Sequence, residues 1–250
     1  MMKNASILAA ALLAAAPYAA QANDWTGTGE LGLALARGNA RSENLNGKLA
    51  FATEDTRWKH SYYASVLRAK GEVVGDFDGD GTPEEQFELN ANRYELGASS
   101  ALKVNEISSW VAALRYENDD FAPFSHQSTF SIGYGHQFIA SDTTSFRAEI
   151  GPGYRRAKDA ITGDTSSDAI ARGLLDFKHK LTGNTELFNT FLVEAGSDNT
   201  FMQNDFGVAV AMNEAFALKA GIQLRNNSEV APGLDKTDTL TTVNLVYNIK

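Results

Sequence analysis

An acidic, glycine-rich segment is the part of this sequence whose residue types best suit a metal ion. In GDFDGDGTPEEQ (75–86), aspartates stand at alternate positions and a glutamate follows them. Carboxylate oxygens in such a series are ligands that Ca²⁺ prefers. The closing glutamate of an EF-hand loop would fall at Phe87, so the segment is not an EF-hand, and a well-solvated loop tip would have the same composition. The segment therefore predicts a Ca²⁺ site, a metal-free loop, or diffuse binding of divalent cations beside lipopolysaccharide phosphates, and no other cofactor. The candidate Ca²⁺ ligands are Asp76, Asp78, Asp80 and Glu84.

Charged side chains of both signs recur two residues apart in several segments, as in Arg115/Glu117 and Arg147/Glu149. Residues two apart share one face of a strand, where they can bridge to neighbouring strands. If the apolar face meets lipid, this charged face points into a barrel lumen. It then forms either a constriction that selects a small polar solute or an ion-paired filling that closes a narrow barrel. The predicted lumen charges are Glu30, Lys48, Arg115, Glu117, Arg147, Glu149, Arg155, Lys219 and Arg225, with Arg93, Glu95, Arg172, Asp176, Lys178 and Asp205 as further members.

Catalytic motifs are absent from the sequence. The four histidines are scattered, with no HExxH pair and no other metal-ligand spacing, and no GxSxG nucleophile elbow occurs. Ser125, His126 and Ser128 lie close together, but at a predicted loop edge rather than on one lipid-facing wall. We therefore expect that the protein is not an enzyme.

The first residues have the pattern of a secretory signal peptide. Lys3 gives a positive start, an apolar run follows over 7–16, and Ala20-Gln21-Ala22 has the small-x-small pattern of a cleavage site. The apolar run is too short for a membrane-spanning helix, which needs roughly 20 residues. The prediction is a signal peptide over 1–22, cleaved after Ala22, and a single exported domain over 23–250.

Composition narrows the partners of the exported domain. The formal net charge of the whole chain is −9, which disfavours nucleic acid, and there is no cysteine to form a disulfide or a thiolate metal site. Past residue 22 no segment is long and apolar enough for a transmembrane helix. The chain is therefore predicted to be periplasmic, secreted, or inserted in an outer membrane as a barrel.

Alternation with a period of two residues runs through almost the whole exported domain. In one segment Phe130, Ile132 and Tyr134 alternate with polar or small residues. Segments of about ten residues with this pattern are typical of outer-membrane barrels. The pattern predicts an all-β fold, an antiparallel transmembrane β-barrel of about 12 strands. The predicted strands are 25–36, 43–53, 58–70, 86–103, 110–117, 127–138, 144–156, 167–180, 185–195, 200–212, 215–227 and 238–249.

The connections between these segments alternate between short and long, and the short connection 196–199 is the one exception. The bacterial barrel arrangement of short periplasmic turns and longer external loops has this asymmetry. With the N-terminus on the periplasmic side, the long connections, such as 71–85 and 118–126, fall outside the cell. Tryptophans and tyrosines lie mostly near strand ends, where interfacial girdles form.

Several segments resemble the YdiY-like, salt-induced outer-membrane protein family, a domain of unknown function. They are GELGLALARGN (29–39), LRYENDDF (114–121), SIGYGHQF (131–138), EIGPGYR (149–155), GSDNT (196–200) and RNNSEVAPGLDKTDTLTTVNLVY (225–247). The resemblance implies a Gram-negative outer-membrane barrel linked to salt or osmotic stress, with no assigned enzyme activity and no binding residues to transfer.

Two functions remain open at this point. One is a narrow, porin-like channel, or a barrel that stabilises the envelope. The channel would prefer cations, since acidic external loops raise the local concentration of counter-ions. The other is a non-conducting structural or surface-interaction barrel that acts through those loops. The expected partners are outer-membrane lipid and lipopolysaccharide, the barrel assembly machinery, and small ions or solutes.

Overall fold

The computed structural model describes residues 25–36, 42–78, 81–230 and 235–249, and nearly all of them lie in strands. The predicted signal peptide and its cleavage site lie outside this range. The described strands are β1 (Trp25–Ala36), β2 (Ser42–Glu54), β3 (Trp58–Gly75), β4 (Glu84–Lys103), β5 (Ser108–Asp119), β6 (Phe124–Ala140), β7 (Thr144–Asp159), β8 (Thr165–Lys180), β9 (Thr185–Gly196), β10 (Thr200–Ala211), β11 (Phe216–Asn227) and β12 (Thr237–Ile249).

These strands form one closed barrel. Each strand pairs with its neighbours in the chain, and β1 pairs with β12 from Gly27 opposite Ile249 to Leu31 opposite Leu245. All the pairings are antiparallel, as connections of a few residues require. In the described part of the chain, no helix is long and apolar enough to cross a membrane.

The outer surface of the barrel is apolar. Large apolar side chains from the alternating segments are exposed there, among them Leu33, Leu114, Ile132 and Ile150. The polar partners in each alternation are turned inward, where Arg155 is 2% exposed. Apolar-out and polar-in is the reverse of a soluble β-protein and suits a lipid environment. The fold is therefore an antiparallel transmembrane β-barrel of twelve strands, as the sequence predicted.

The two rims of the barrel differ. We call the rim at which β1, β3, β5, β7, β9 and β11 end the loop end, and the rim with the connections 55–57, 104–107, 141–143, 181–184 and 212–215 the turn end. At the loop end several strands are longer than predicted. The expected loop 71–85 shrinks to 76–83, and 118–126 shrinks to 120–123. Side-chain alternation fades there, but backbone pairing continues.

Short side chains close the turns at the turn end. The Asp55 carboxylate accepts backbone N–H bonds from Trp58 and Arg57, each at 2.7 Å. Both bonds hold the pKa of Asp55 below its usual value, and the bond from Trp58 has the larger effect. Asn213 likewise accepts from the backbone of Phe216 at 2.9 Å. These bonds satisfy backbone donors that the strand ladders leave unpaired.

Candidate functional site in the barrel lumen

Six charged side chains form a buried group inside the barrel near the loop end. Three are arginines and three are carboxylates, so the group is electrically balanced. They come from β4, β5, β9 and β11, and we call them the ionic cluster: Arg93, Arg115, Glu117, Asp119, Glu194 and Arg225. Glu194 is 0% exposed and Glu117 is 1% exposed, so water has almost no access to the centre of the cluster.

The cluster joins opposite walls of the barrel. An Arg225 guanidinium nitrogen lies 2.5 Å from Glu117 Oε2, and the other lies 3.2 Å from Asp119 Oδ2. Arg225 is on β11 and the two carboxylates are on β5; in a ring of twelve strands these two are diametrically opposite. The Glu117–Arg225 contact therefore spans the full width of the lumen.

Further bonds reinforce this crossing. Arg115 binds Glu117 on its own strand and Glu194 on β9, both at 2.9 Å. Arg93 on β4 donates to Gln223 Oε1 on β11 at 2.6 Å. Charge-assisted hydrogen bonds of this kind are short and about twice as strong as neutral ones. The lumen is thus bridged at one level by several bonds from different strands.

The Phe201 ring fills the space between two arginines of the cluster. The guanidinium carbon of Arg115 lies 4.7 Å from the ring centroid, and that of Arg225 lies 4.9 Å from it. Cations are attracted to the face of an aromatic ring, more strongly when water is excluded. Phe201 is 0% exposed. Its ring therefore occupies part of the lumen at the level of the ionic bonds.

A second buried group ties the strands together beside the cluster. Arg155 donates to Asp168 at 3.0 Å and to the backbone oxygen of Asn199 at 2.6 Å. The Asn199 side chain in turn donates to Asn227 at 2.8 Å and accepts from the Glu229 backbone. The connection 197–199 and residues 227–229 are thereby fastened to each other and to the inner wall.

Below the cluster, towards the turn end, lies a polar chamber of about 390 Å³. Hydroxyl groups line much of its wall, and the aromatic rings of Tyr63 and Phe188 also contribute. The Asp205 carboxylate is held in the wall by amide donors of Gln203 and Gln223, at 2.8 and 2.7 Å. A chamber of this size is within the range of small-molecule sites.

The remaining predicted lumen charges lie around or below this chamber. Lys219 binds Glu30 at 2.9 Å, and Arg147 binds Glu149 at 3.1 Å. Lys48 lies over the Tyr63 ring at 5.3 Å, and the Tyr63 hydroxyl donates to Glu95. Arg172 approaches Glu149 at 3.5 Å. The wall charges are therefore mostly neutralised by neighbours.

The nine predicted lumen charges do not form one site. The structure brings Arg115, Glu117 and Arg225 together in the ionic cluster and places Arg155 beside it. It distributes the other five, namely Glu30, Lys48, Arg147, Glu149 and Lys219, along the wall.

At the level of the ionic cluster, sequence reasoning missed three residues. Glu194 lies in TELFNTFLVEAG, where apolar residues occupy both faces and hide the alternation. Asp119 was assigned to a loop, but it is the last residue of β5. Phe201 was read as an ordinary strand residue. Its pairing opposite Glu194 and Asn227 would have placed it on the charged inner face, but only once the register was known.

The candidate Ca²⁺ ligands lie in and beside the loop 76–83. The Asp76 carboxylate accepts the backbone N–H of Gly81 at 2.9 Å, and Gly81 has a φ of 83°, a turn conformation that suits glycine. Glu84 begins β4 opposite Gly75. Asp80 lies outside the described residues. Among the described residues no three metal-ligating side chains cluster, and the Ca²⁺ site stays a prediction.

An apolar exterior, a closed ring of twelve strands and a charged interior define a transmembrane β-barrel protein. Within that class, the chain belongs to the family described as "Protein of unknown function, DUF481", whose model matches residues 29–249. The chain is also similar to the uncharacterized protein YdiY of Escherichia coli strain K12, with 27% identity over 165 residues. That alignment covers 65% of this chain and 64% of YdiY, so it spans less than two thirds of the relative.

Three solved structures are similar to this chain at TM-scores just below 0.5. The NanC porin shares 10% identity with a TM-score of 0.48, covering 90% of this chain and 98% of that chain. The translocator domain of autotransporter NalP from Neisseria meningitidis shares 12% identity with a TM-score of 0.47, covering 98% and 95%. An outer membrane channel from Pseudomonas putida F1 shares 8% identity with a TM-score of 0.48, covering 90% and 94%.

Proposed function

We propose that this chain is an outer-membrane barrel with a narrow, porin-like lumen that the ionic cluster holds closed at rest. Small ions or polar solutes would pass only when the cluster opens. The observation that carries the proposal is the Glu117–Arg225 contact between diametrically opposite strands, with Phe201 packed beside it. The predicted signal peptide and the apolar exterior support an outer-membrane location.

The cluster has features of a closure that can open. Four of its buried polar atoms lack a hydrogen-bond partner among the described residues: Arg115 Nε, Glu117 Oε1, Glu194 Oε1 and Arg225 Nε. A partly satisfied buried network is less stable than a fully satisfied one. The polar chamber beneath the cluster also provides a place for a small solute on the path.

Two finer points belong to the same proposal. The family resemblance supports a role in salt or osmotic stress. The acidic loop 76–83 supports a preference for cations, because a rim of one sign raises the local concentration of counter-ions. The reversal potential under a salt gradient measures this preference directly. A potential that indicates anion selectivity would exclude it.

Current through a planar bilayer tests the closed lumen. We expect the unaltered protein to stay mostly closed and Arg225→Ala to open at least about 10-fold more often, since about 1.4 kcal/mol corresponds to a factor of ten. Arg156→Ala, which removes an exposed arginine of β7 near the same rim, is the matched control and should behave as the unaltered protein. Large steady currents from the unaltered protein would contradict the proposal.

Folding must be verified for each variant, since a misfolded barrel is also silent. A heat-dependent shift in gel mobility reports a folded barrel, and Glu117→Gln provides a second variant that keeps the side-chain shape while removing the charge. If folded Arg225→Ala and Glu117→Gln are both as silent as the unaltered protein, the lumen does not conduct.

A second candidate function is a non-conducting barrel that acts through its loops. The complete burial of Glu194 and Phe201 favours this function. If the barrel acts in this way, shortening the loop 76–83 should have the same effect on the cell as deleting the protein, and the permeability of the outer membrane should not change.

A further inference from the structure

Three histidines on this barrel are paired in the same way. Each lies directly opposite a hydroxyl residue of the next strand, and its ring nitrogen Nδ1 is within hydrogen-bond distance of that hydroxyl, at 2.8, 3.1 and 2.8 Å respectively. The pairs join β3 to β4, β5 to β6 and β7 to β8. They are His60 with Ser100, His136 with Ser108, and His179 with Thr144.

Each of these histidines also stacks on an aromatic ring two residues earlier in its own strand. The ring centroids lie 5.8, 6.4 and 6.5 Å apart, and the interplanar angles are 10°, 17° and 14°. Residues two apart share a face, so the two rings stand side by side on one surface. The rings are Trp58 for His60, Tyr134 for His136 and Phe177 for His179.

All three pairs lie on the outer face of the barrel, near the turn end. Trp58, Tyr134 and Leu175, which share strand faces with the histidines, are between 38% and 41% exposed on that surface. In a transmembrane barrel, aromatic residues near strand ends lie at the level of the lipid headgroups. The repeated pairs therefore form a band over β3–β8, on one side of the barrel.

The hydrogen bonds around His136 indicate which nitrogen carries the proton. The Tyr134 hydroxyl donates to Ser108 Oγ at 2.7 Å, which leaves the serine proton free for His136 Nδ1 at 3.1 Å. A neutral imidazole has one N–H, so an accepting Nδ1 puts the proton on Nε2. His136 then presents a donor on the outer surface, where phosphate and ester oxygens of lipids are the complementary acceptors.

We propose that His60, His136 and His179 bind the phosphate groups of phospholipids in the leaflet at the turn end. The cross-strand hydroxyl and the stacked ring fix each imidazole and leave Nε2 for the lipid. This contact is one-sided, because β9–β12, β1 and β2 have no histidine among their described residues. The proposal does not depend on whether the lumen conducts.

A hydrolytic role for Ser108 and His136 fits the geometry less well. A serine–histidine pair that acts on esters needs a third group to orient the imidazole. Among the described residues, His136 has no carboxylate within hydrogen-bond distance. Ser108 is also only 6% exposed and already accepts a bond from Tyr134.

Retention of phosphatidylglycerol by the folded, detergent-purified barrel tests the proposal, with native mass spectrometry counting bound lipids. The variant is His60→Phe/His136→Phe/His179→Phe, which keeps an aromatic ring at each position and removes the nitrogens. We expect its apparent affinity for phosphatidylglycerol to fall about 10-fold, equivalent to about 1.4 kcal/mol. His126→Phe, at the loop end, is the matched control and should retain lipid as the unaltered protein does.

Several outcomes would overturn the proposal. Equal lipid retention by the triple variant and the control would do so, and so would displacement of the lipid by excess inorganic phosphate, which would indicate a free-anion site. Binding of a second barrel in place of lipid would assign the band to self-association. If the triple variant does not fold, the three single His→Phe variants should each reduce retention, and unchanged retention in all three would equally refute it.

Discussion

The buried charge of Glu194 depends on a partner that the barrel fold brings from a distant strand. Its carboxylate is fully buried and accepts from Arg115 at 2.9 Å, across the lumen from β5 to β9. Removing one partner of a buried ion pair leaves the other charge without compensation in a medium that solvates it poorly. An exposed pair loses far less, because water and salt replace the partner.

Glu194→Ala should therefore destabilise the barrel by about 3–5 kcal/mol. Lys59→Ala is the matched control, since Lys59 pairs with Glu54 at 3.2 Å with both side chains more than 40% exposed, and it should cost no more than about 1 kcal/mol. Reversible urea unfolding in lipid vesicles measures both. Equal costs would mean that the cluster contributes no more than a surface ion pair.

For single residues, the sequence predicts which charged side chains face the lumen better than it predicts which of them contact each other. Period-two alternation was enough to assign Arg115, Glu117 and Arg225 to an inner face. Their meeting could not be predicted, because β5 and β11 are separated by about half the chain and local periodicity contains no information about strands that face each other. Glu194 was hidden for a different reason: its strand is apolar on both faces.

At the scale of the elements, the backbones of β6 and β7 lie close to each other at Gly133 and Gly151. A Cβ on Gly151 would lie 2.2 Å from the Ile132 carbonyl oxygen and 2.4 Å from Gly133 Cα. Both neighbours are backbone atoms of the facing strand, so they cannot rotate away. Glycine within a strand is typical of a position where another backbone approaches closely.

Gly151→Ala should destabilise the barrel by about 1–3 kcal/mol, the usual cost of overpacking. In Gly47→Ala the new Cβ would find its nearest neighbour, Val66 Cγ1, at 3.5 Å, which is an ordinary contact, so this variant is the control. Both are measured by the same urea unfolding. A Gly151→Ala barrel as stable as Gly47→Ala would show that the β6–β7 backbones can separate without cost.

Strand bounds are the best-predicted feature at this scale. Every one of the twelve predicted segments overlaps a described strand, and the larger deviations are at the loop end, as in β3 and β7. Side-chain alternation marks only the lipid-facing part of a strand. Beyond the membrane both faces meet water, so the sequence loses its period while backbone hydrogen bonds continue the ladder.

For the molecule as a whole, the apolar outer surface requires contact with lipid instead of water. Ile132 lies at the middle of β6 and is 50% exposed on the outer surface. In a soluble protein an arginine there would be tolerated. In a bilayer a charged side chain at the lipid midplane costs about 2–4 kcal/mol.

Ile132→Arg should therefore lower the free energy of unfolding in phospholipid vesicles by about 2–4 kcal/mol. Ile161→Arg, in the loop 160–164 and 73% exposed, introduces the same change in water and should stay within about 0.5 kcal/mol. If Ile132→Arg were as harmless as this control, the outer surface would not face lipid.

The closed lumen can be tested most directly by the access of a reagent to the chamber. The chain has no cysteine, so Thr190→Cys places a single thiol on the chamber wall, beneath the ionic cluster. A membrane-impermeant maleimide added to intact cells should leave this thiol unreacted. The same thiol should be labelled in the double variant Thr190→Cys/Arg225→Ala. Thr162→Cys, in the loop 160–164, is the control and should react with or without Arg225→Ala. Rapid labelling of Thr190→Cys with Arg225 in place would show that the lumen is open from the loop end, and would contradict its closure by the ionic cluster.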